Sequence, residues 1–258
     1  MKIVNYIIIL ITIIVLLSCQ RKQENTKESS QSAWKGKWER YIWQNEASLE
    51  ITELKNDTIV FTLFAHSGSH TCGLEGYAEI KGNIATYTEL NDIDTCIITF
   101  NLLGDSIITI TQKTNNCFAG AGVNYSGQYK NELKLNKTKP TETLYSLGIF
   151  KTKQQDSVFR CLVKDNYDLF LNSTDLTSDV EDLDGFNGSI KSSGVRGLFT
   201  VMENIIMIDA NNTIWAAVIS DNKVLYFTNK QSDKNKLPKT INAWRENFKD
   251  LIVLYDFN

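Results

Sequence analysis

Ser48-Leu49-Glu50-Ile51-Thr52-Glu53-Leu54 alternates apolar and polar side chains, Lys55-Asn56-Asp57 interrupts it, and Ile59-Val60-Phe61-Thr62-Leu63-Phe64 resumes the alternation. Side chains two residues apart share one face of a strand, so this stretch predicts a hairpin with one buried face. The same plan repeats on either side. Tyr77-Ala78-Glu79-Ile80 and Ile84-Ala85-Thr86-Tyr87 flank Lys81-Gly82-Asn83, in which Gly82-Asn83 suits a positive-φ turn. Cys96 to Leu102 and Ile107 to Ile110 flank Gly104-Asp105. With Trp38 to Trp43 before them and Tyr125 to Leu135 after, about eight short strands are expected over residues 34–138. Their even spacing predicts a small antiparallel β-barrel or sandwich, and closure into a barrel would leave no exposed sheet edge.

Beyond the polar link Asn136-Lys137-Thr138-Lys139-Pro140-Thr141 the periodicity changes. Asp156 is expected to cap a helix whose apolar positions Val158, Cys161, Leu162 and Leu169 fall near a 3.6 period. A polar, acidic, solvated loop is expected from Ser173 to Asn187. Strands are expected around Gly197 to Val201, Ile205 to Ile208, Ile214 to Ile219 and Val224 to Phe227. Pro238 suits the first turn of a second helix carrying Ile241, Trp244 and Phe248 on one face, and Leu251 to Tyr255 reads as a last strand. Residues 139–258 therefore predict an α+β domain, two main helices on an antiparallel sheet.

The N-terminus has a separate logic. A charged start, an apolar run from Tyr6 to Leu17 and then Ser18-Cys19 make the three-part plan of a secretory signal, and the run is short for a spanning helix. Leu16-Leu17-Ser18-Cys19 resembles the lipobox of bacterial lipoproteins. The resemblance implies cleavage after residue 18, diacylglycerol on the Cys19 thiol and an acyl chain on the new amino group, and more than one chain gives stable anchoring. Gln20, in place of the aspartate that favours retention at the inner membrane, makes the outer membrane the expected address. Residues 19–33, rich in Lys, Glu, Gln and Ser, read as a flexible tether.

Composition narrows the partners. The net charge of −3 is spread over interspersed signs, so no nucleic-acid surface is expected. No cofactor is expected either. His66-x-x-x-His70-x-Cys72 offers three zinc-ligand types in one loop but no fourth, and flexible loop histidines are the preferred reading. Aligning Gly185 with the glycine of an EF-hand loop puts Val180 and Lys191 where oxygen ligands belong. Ser67 and Ser69 flank the histidines without a Gly-x-Ser-x-Gly elbow, and Gly120-Ala121-Gly122 lacks the third glycine of a dinucleotide motif.

An exported protein can keep disulfides. The hairpin register brings Cys96 near Cys117, and a bridge there would close a loop of about 20 residues and contribute about 3 kcal/mol. Cys72 competes for either partner, while Cys161 reads as a buried thiol on a helix face. Trp34, Trp38, Tyr41 and Trp43 cluster at the start of the first domain. Alternation turns Tyr41 and Trp43 inward, toward core packing; Trp34, Trp38 and Tyr41 are also candidates for an aromatic surface that takes a glycan or protein.

Thr71-Cys72-Gly73-Leu74-Glu75-Gly76, Cys96-Ile97-Ile98-Thr99-Phe100 and Cys117 through Gly127-Gln128-Tyr129 resemble small β-domains of bacterial envelope lipoproteins, over residues 34–132. Some such barrels are distantly similar in architecture to periplasmic lysozyme inhibitors, whose serine, lysine and tyrosine motif this chain lacks. The resemblance implies fold and cell address and carries no functional residues. The expected function is a lipid-anchored, non-catalytic binding or inhibitory module of the envelope. The alternatives are a hydrolase using carboxylates and a scaffold or assembly component.

Overall fold

The computed structural model describes residues 33–90, 95–114, 117–135 and 139–255. The signal at 1–18, Cys19, the tether up to residue 32 and Asn136 to Thr138 of the link lie outside the described residues. The described residues form two compact units, one within 33–41, 46–65 and 72–135, the other within 42–45, 66–71 and 139–255.

The first unit is a closed antiparallel barrel of eight strands in sequence order. These are β1 (Gly36–Arg40), β2 (Ala47–Lys55), β3 (Thr58–Ser67), β4 (His70–Lys81), β5 (Ile84–Leu90), β6 (Thr95–Leu103), β7 (Ile107–Gln112) and β8 (Gly127–Lys130). The opening hairpin pairs Leu49 with Leu63 and Ile51 with Phe61. Asn56 and Asp57 both take positive φ, 51° and 58°, the twist a two-residue hairpin turn needs. Closure comes from Glu39 opposite Lys130. Alternation sends Leu49, Ile51, Ile59, Phe61, Ile98 and Phe100 inward, all essentially buried. The Phe61 ring packs edge-on to Tyr87 at 5.3 Å and against Phe100 at 4.8 Å. A short helix α1 (Glu132–Leu135) follows β8.

The second unit carries a six-stranded sheet in the order β14-β13-β12-β11-β10-β9. Its strands are β9 (Leu176–Asp179), β10 (Ser189–Gly194), β11 (Glu203–Ile208), β12 (Ile214–Ser220), β13 (Lys223–Thr228) and β14 (Ile252–Tyr255). Helices α2 (Lys153–Val163) and α3 (Tyr167–Asn172) cover one face, where Phe159 and Phe170 meet Ile206, Ala216, Val218 and Phe227. Helix α4 (Lys239–Trp244) covers the other, where Ile241 and Phe248 meet Ile205, Met207, Ala217 and Tyr226. Covered on both sides, β12 is apolar at every position from Ile214 to Ile219 instead of alternating.

Five expectations are corrected here. The sheet is mixed rather than antiparallel, because β14 runs parallel to β13, with Val224 opposite Val253; the connection from Thr228 through α4 is long enough for such a crossover. Thr152, not Asp156, caps α2, its hydroxyl accepting from the Gln155 amide. Asp156 lies buried within the helix instead, accepting from the Tyr167 hydroxyl at 2.6 Å and the Arg160 Nε at 3.0 Å. Cys161 is exposed, since the buried face of α2 runs through Asp156, Phe159 and Val163. Finally, Gly197 to Val201 is a turn, and the supposed acidic loop contains β9.

Candidate binding groove

The sheet face covered by α4 thins out toward β9. On β10, Ile190 is buried under that layer, but the next residues on the same face are Ser192 and Gly194, opposite Ile205 and Glu203. Leu176 stands opposite Gly194 on β9, and Ser178 opposite Ser192. Small side chains on a face that no helix of the described residues covers leave a groove. Its volume is about 240 Å³, lined by Leu176–Ser178 of β9, Ser192–Gly194 of β10, Phe199 and Glu203.

One wall is built by the turn between β10 and β11. Val195 donates to the Met202 carbonyl and Leu198 to that of Val195, which closes the loop. The Phe199 ring then lies over Gly194, 3.0 Å from where a Cβ would stand, so a larger residue there would push the ring outward. Thr200 has φ 66°. For a β-branched residue this left-handed conformation is strained by about 1–2 kcal/mol. Its amide donates to the Glu203 Oε1 at 2.7 Å, and the Arg196 amide donates to the Asp175 carboxylate at 3.0 Å. These bonds hold Phe199 and Val201 outward, 52% and 57% exposed, with Leu176 38% exposed across the groove.

A second cleft, about 260 Å³, lies where Ile149 and Ile208 meet Lys151, Gln155, Asn187 and Asp209. No exposed large apolar side chain borders it.

The residues singled out from sequence are placed as follows. Cys96 and Cys117 form a disulfide with Cα atoms 4.8 Å apart, and Cys72 is a free, buried thiol inside the barrel. Burial pushes the Cys72 thiol up, offset in part by the Tyr125 hydroxyl and the Ala65 backbone beside it. Trp34 and Trp38 belong to the barrel core, so neither presents an aromatic surface to a ligand. Tyr41 and Trp43 lie beyond the end of β1, half-buried rather than inward on a strand. The Trp43 indole donates to the Thr174 carbonyl at 2.6 Å. The His66 ring approaches the Gly68 carbonyl at 3.3 Å, and the Ser69 hydroxyl donates to the Arg196 carbonyl. Among the described residues no three His, Cys, Asp or Glu side chains converge on a point that could hold a metal ion.

The acidic loop acts on its own backbone. The Asp182 carboxylate accepts from the amides of Asp184, Gly185 and Asn187. That of Asp184 accepts from the Lys239 and Thr240 amides and the Thr240 hydroxyl, clasping the start of α4. Burial works to raise the Asp184 carboxyl, but these donors outweigh it and hold the group below its ordinary value. Among the described residues no helix is long and apolar enough to cross a membrane.

The groove residues went unread in the sequence. The signal was there: Asp175-Leu176-Thr177-Ser178-Asp179-Val180-Glu181 alternates with period two, hidden by an apolar set of only Leu176 and Val180. Comparison with protein families, with curated proteins and with solved structures finds no match to this chain.

Proposed function

We propose that this chain is a lipid-anchored protein of the bacterial envelope, held through Cys19 at the outer membrane, whose second unit binds a protein partner without transforming it. One observation carries the binding reading. Leu176 and Phe199 line a single groove, Val201 follows on the turn that carries Phe199, all three are exposed, and that turn holds Thr200 in a strained conformation. Backbone strain persists where surrounding structure overdetermines it, and it concentrates at ligand-binding positions. Large apolar side chains grouped around a groove are the ordinary mark of a recognition site. The acidic side chains with several donors, Asp156, Asp182 and Asp184, are engaged in holding the fold, which favours binding over carboxylate catalysis.

The test is site-specific photocrosslinking of the full-length lipidated protein in envelope membranes, with a photoreactive side chain replacing Val201. A protein adduct of discrete mass is expected, and Phe199→Ser should abolish it. Absence of any adduct, together with turnover of a cell-wall substrate by the same preparation, would reverse the reading in favour of a hydrolase.

A further inference from the structure

We infer that β9 receives an extended segment of the partner as an added antiparallel strand, and that this segment alternates apolar with cationic side chains. The inference rests on the groove being the binding face. Among the described residues β9 is the last strand of its sheet and pairs only with β10. Val180 donates to the Ile190 carbonyl at 3.1 Å. Ladder bonds in an antiparallel pair fall on alternate residues, so Leu176, Ser178 and Val180 turn their amides and carbonyls toward β10, and Thr177 and Asp179 turn theirs outward. Outward-facing backbone groups on an edge strand are what an incoming strand pairs with.

The two faces of β9 define the side chains such a strand must carry. By register Leu176 and Ser178 stand opposite Gly194 and Ser192, on the face that carries Ile190, and their side chains point into the groove that the backbone of Thr177 also lines. Thr177 and Asp179 face the other way, Thr177 bonding to the Ser193 hydroxyl at 2.8 Å and Asp179 to the Lys191 ammonium at 2.7 Å. Asp175 and Glu181 continue that period on either side, and the Asp179 carboxylate remains 82% exposed despite its lysine. An added strand keeps its own two-residue period. Its apolar side chains therefore enter the groove beside Leu176 and Phe199 while the alternate positions meet carboxylates, which select lysine or arginine. A second copy of this chain does not meet the requirement: two-fold pairing of β9 with itself preserves the faces and sets its acidic row against an identical one, and like charges across paired strands are destabilising.

The probe is a fluorescein-labelled, acetylated and amidated heptapeptide, Lys-Val-Lys-Phe-Lys-Val-Lys, titrated with full-length protein in detergent and read by anisotropy. Saturable binding is expected. It should weaken about tenfold or more when glutamates replace the lysines, when alternate amides on the pairing edge are N-methylated, and in Thr177→Pro, which removes an outward donor without breaking a backbone bond to β10, though it gives up the side-chain bond to Ser193. Charge reversal in Asp179→Lys should restore binding of the glutamate peptide. Equal binding of Lys-Lys-Val-Phe-Val-Lys-Lys, which has the same composition without the alternation, would overturn the inference. So would indifference to N-methylation, a change that leaves the protein untouched and decides the matter even if Thr177→Pro unfolds. Should Phe199→Ala still weaken binding in that case, the groove stands and strand addition falls. Should it not, both fall.

Discussion

Thr200 and Asp184 show how much a single residue can carry here. Thr200 accepts a left-handed backbone although it is β-branched, with its amide tied to Glu203. Thr200→Gly should relieve the strain, and after the entropy that glycine adds to the unfolded chain the net gain is about 0.5–1 kcal/mol. The same change loosens the support under Phe199. A higher melting temperature with weaker photocrosslinking at Val201 is therefore expected, and thermal denaturation beside the crosslinking yield checks it. At Asp184 the amides of Lys239 and Thr240 favour the charged carboxylate. Asp184→Ala should cost about 1 kcal/mol at neutral pH, as loss of a helix cap does. Because the folded carboxyl titrates below its ordinary value, the stabilisation is fully present above that value and is lost as pH falls through the folded one. Urea denaturation curves of wild type and Asp184→Ala should lie apart at pH 7 and converge below about pH 4.

Among the elements, the barrel hairpins were legible and the far edge of the second sheet was not. The β2–β3 hairpin declares itself because each strand has one wet and one buried face, so composition alternates with the pleat. In β9 all four side chains are exposed, and burial wrote no apolar row into its sequence. The turn from Val195 to Met202 failed in the opposite direction: Leu198, Phe199 and Val201 look like a strand, but two of the three point to solvent. The Cys96–Cys117 bridge ties the start of β6 to the segment after β7, with 21 residues of separation. Replacing both with alanine should cost about 3 kcal/mol in the loop-entropy model. The expected signature is a lower urea midpoint for loss of the barrel's near-ultraviolet circular dichroism, and an unchanged midpoint would show that the bridge does not stabilise the barrel.

At the scale of the whole molecule the prediction concerns address. If Cys19 is the lipidated residue, Cys19→Ser should move the protein from the membrane fraction into the soluble envelope fraction, and intact mass should drop by the diacylglycerol and the acyl chain. Membrane association with no mass change would argue against the lipobox reading. The sequence by itself determined what depends on short-range pattern. It set a count of about eight alternating strands in a barrel or sandwich, the turn at Lys55-Asn56-Asp57, the change of periodicity near Pro140 and, through hairpin register, a preferred Cys96–Cys117 bridge with Cys72 as competitor. Each follows from residues a few positions apart, or from a register that one hairpin sets. Only the tertiary structure decided the parallel pairing of β14, the engagement of Asp156 by Tyr167 and Arg160, and the groove. Those features join residues distant in the chain, and the groove exists because small side chains on β10, an exposed leucine on β9 and a strained turn meet where no helix of the described residues covers the sheet.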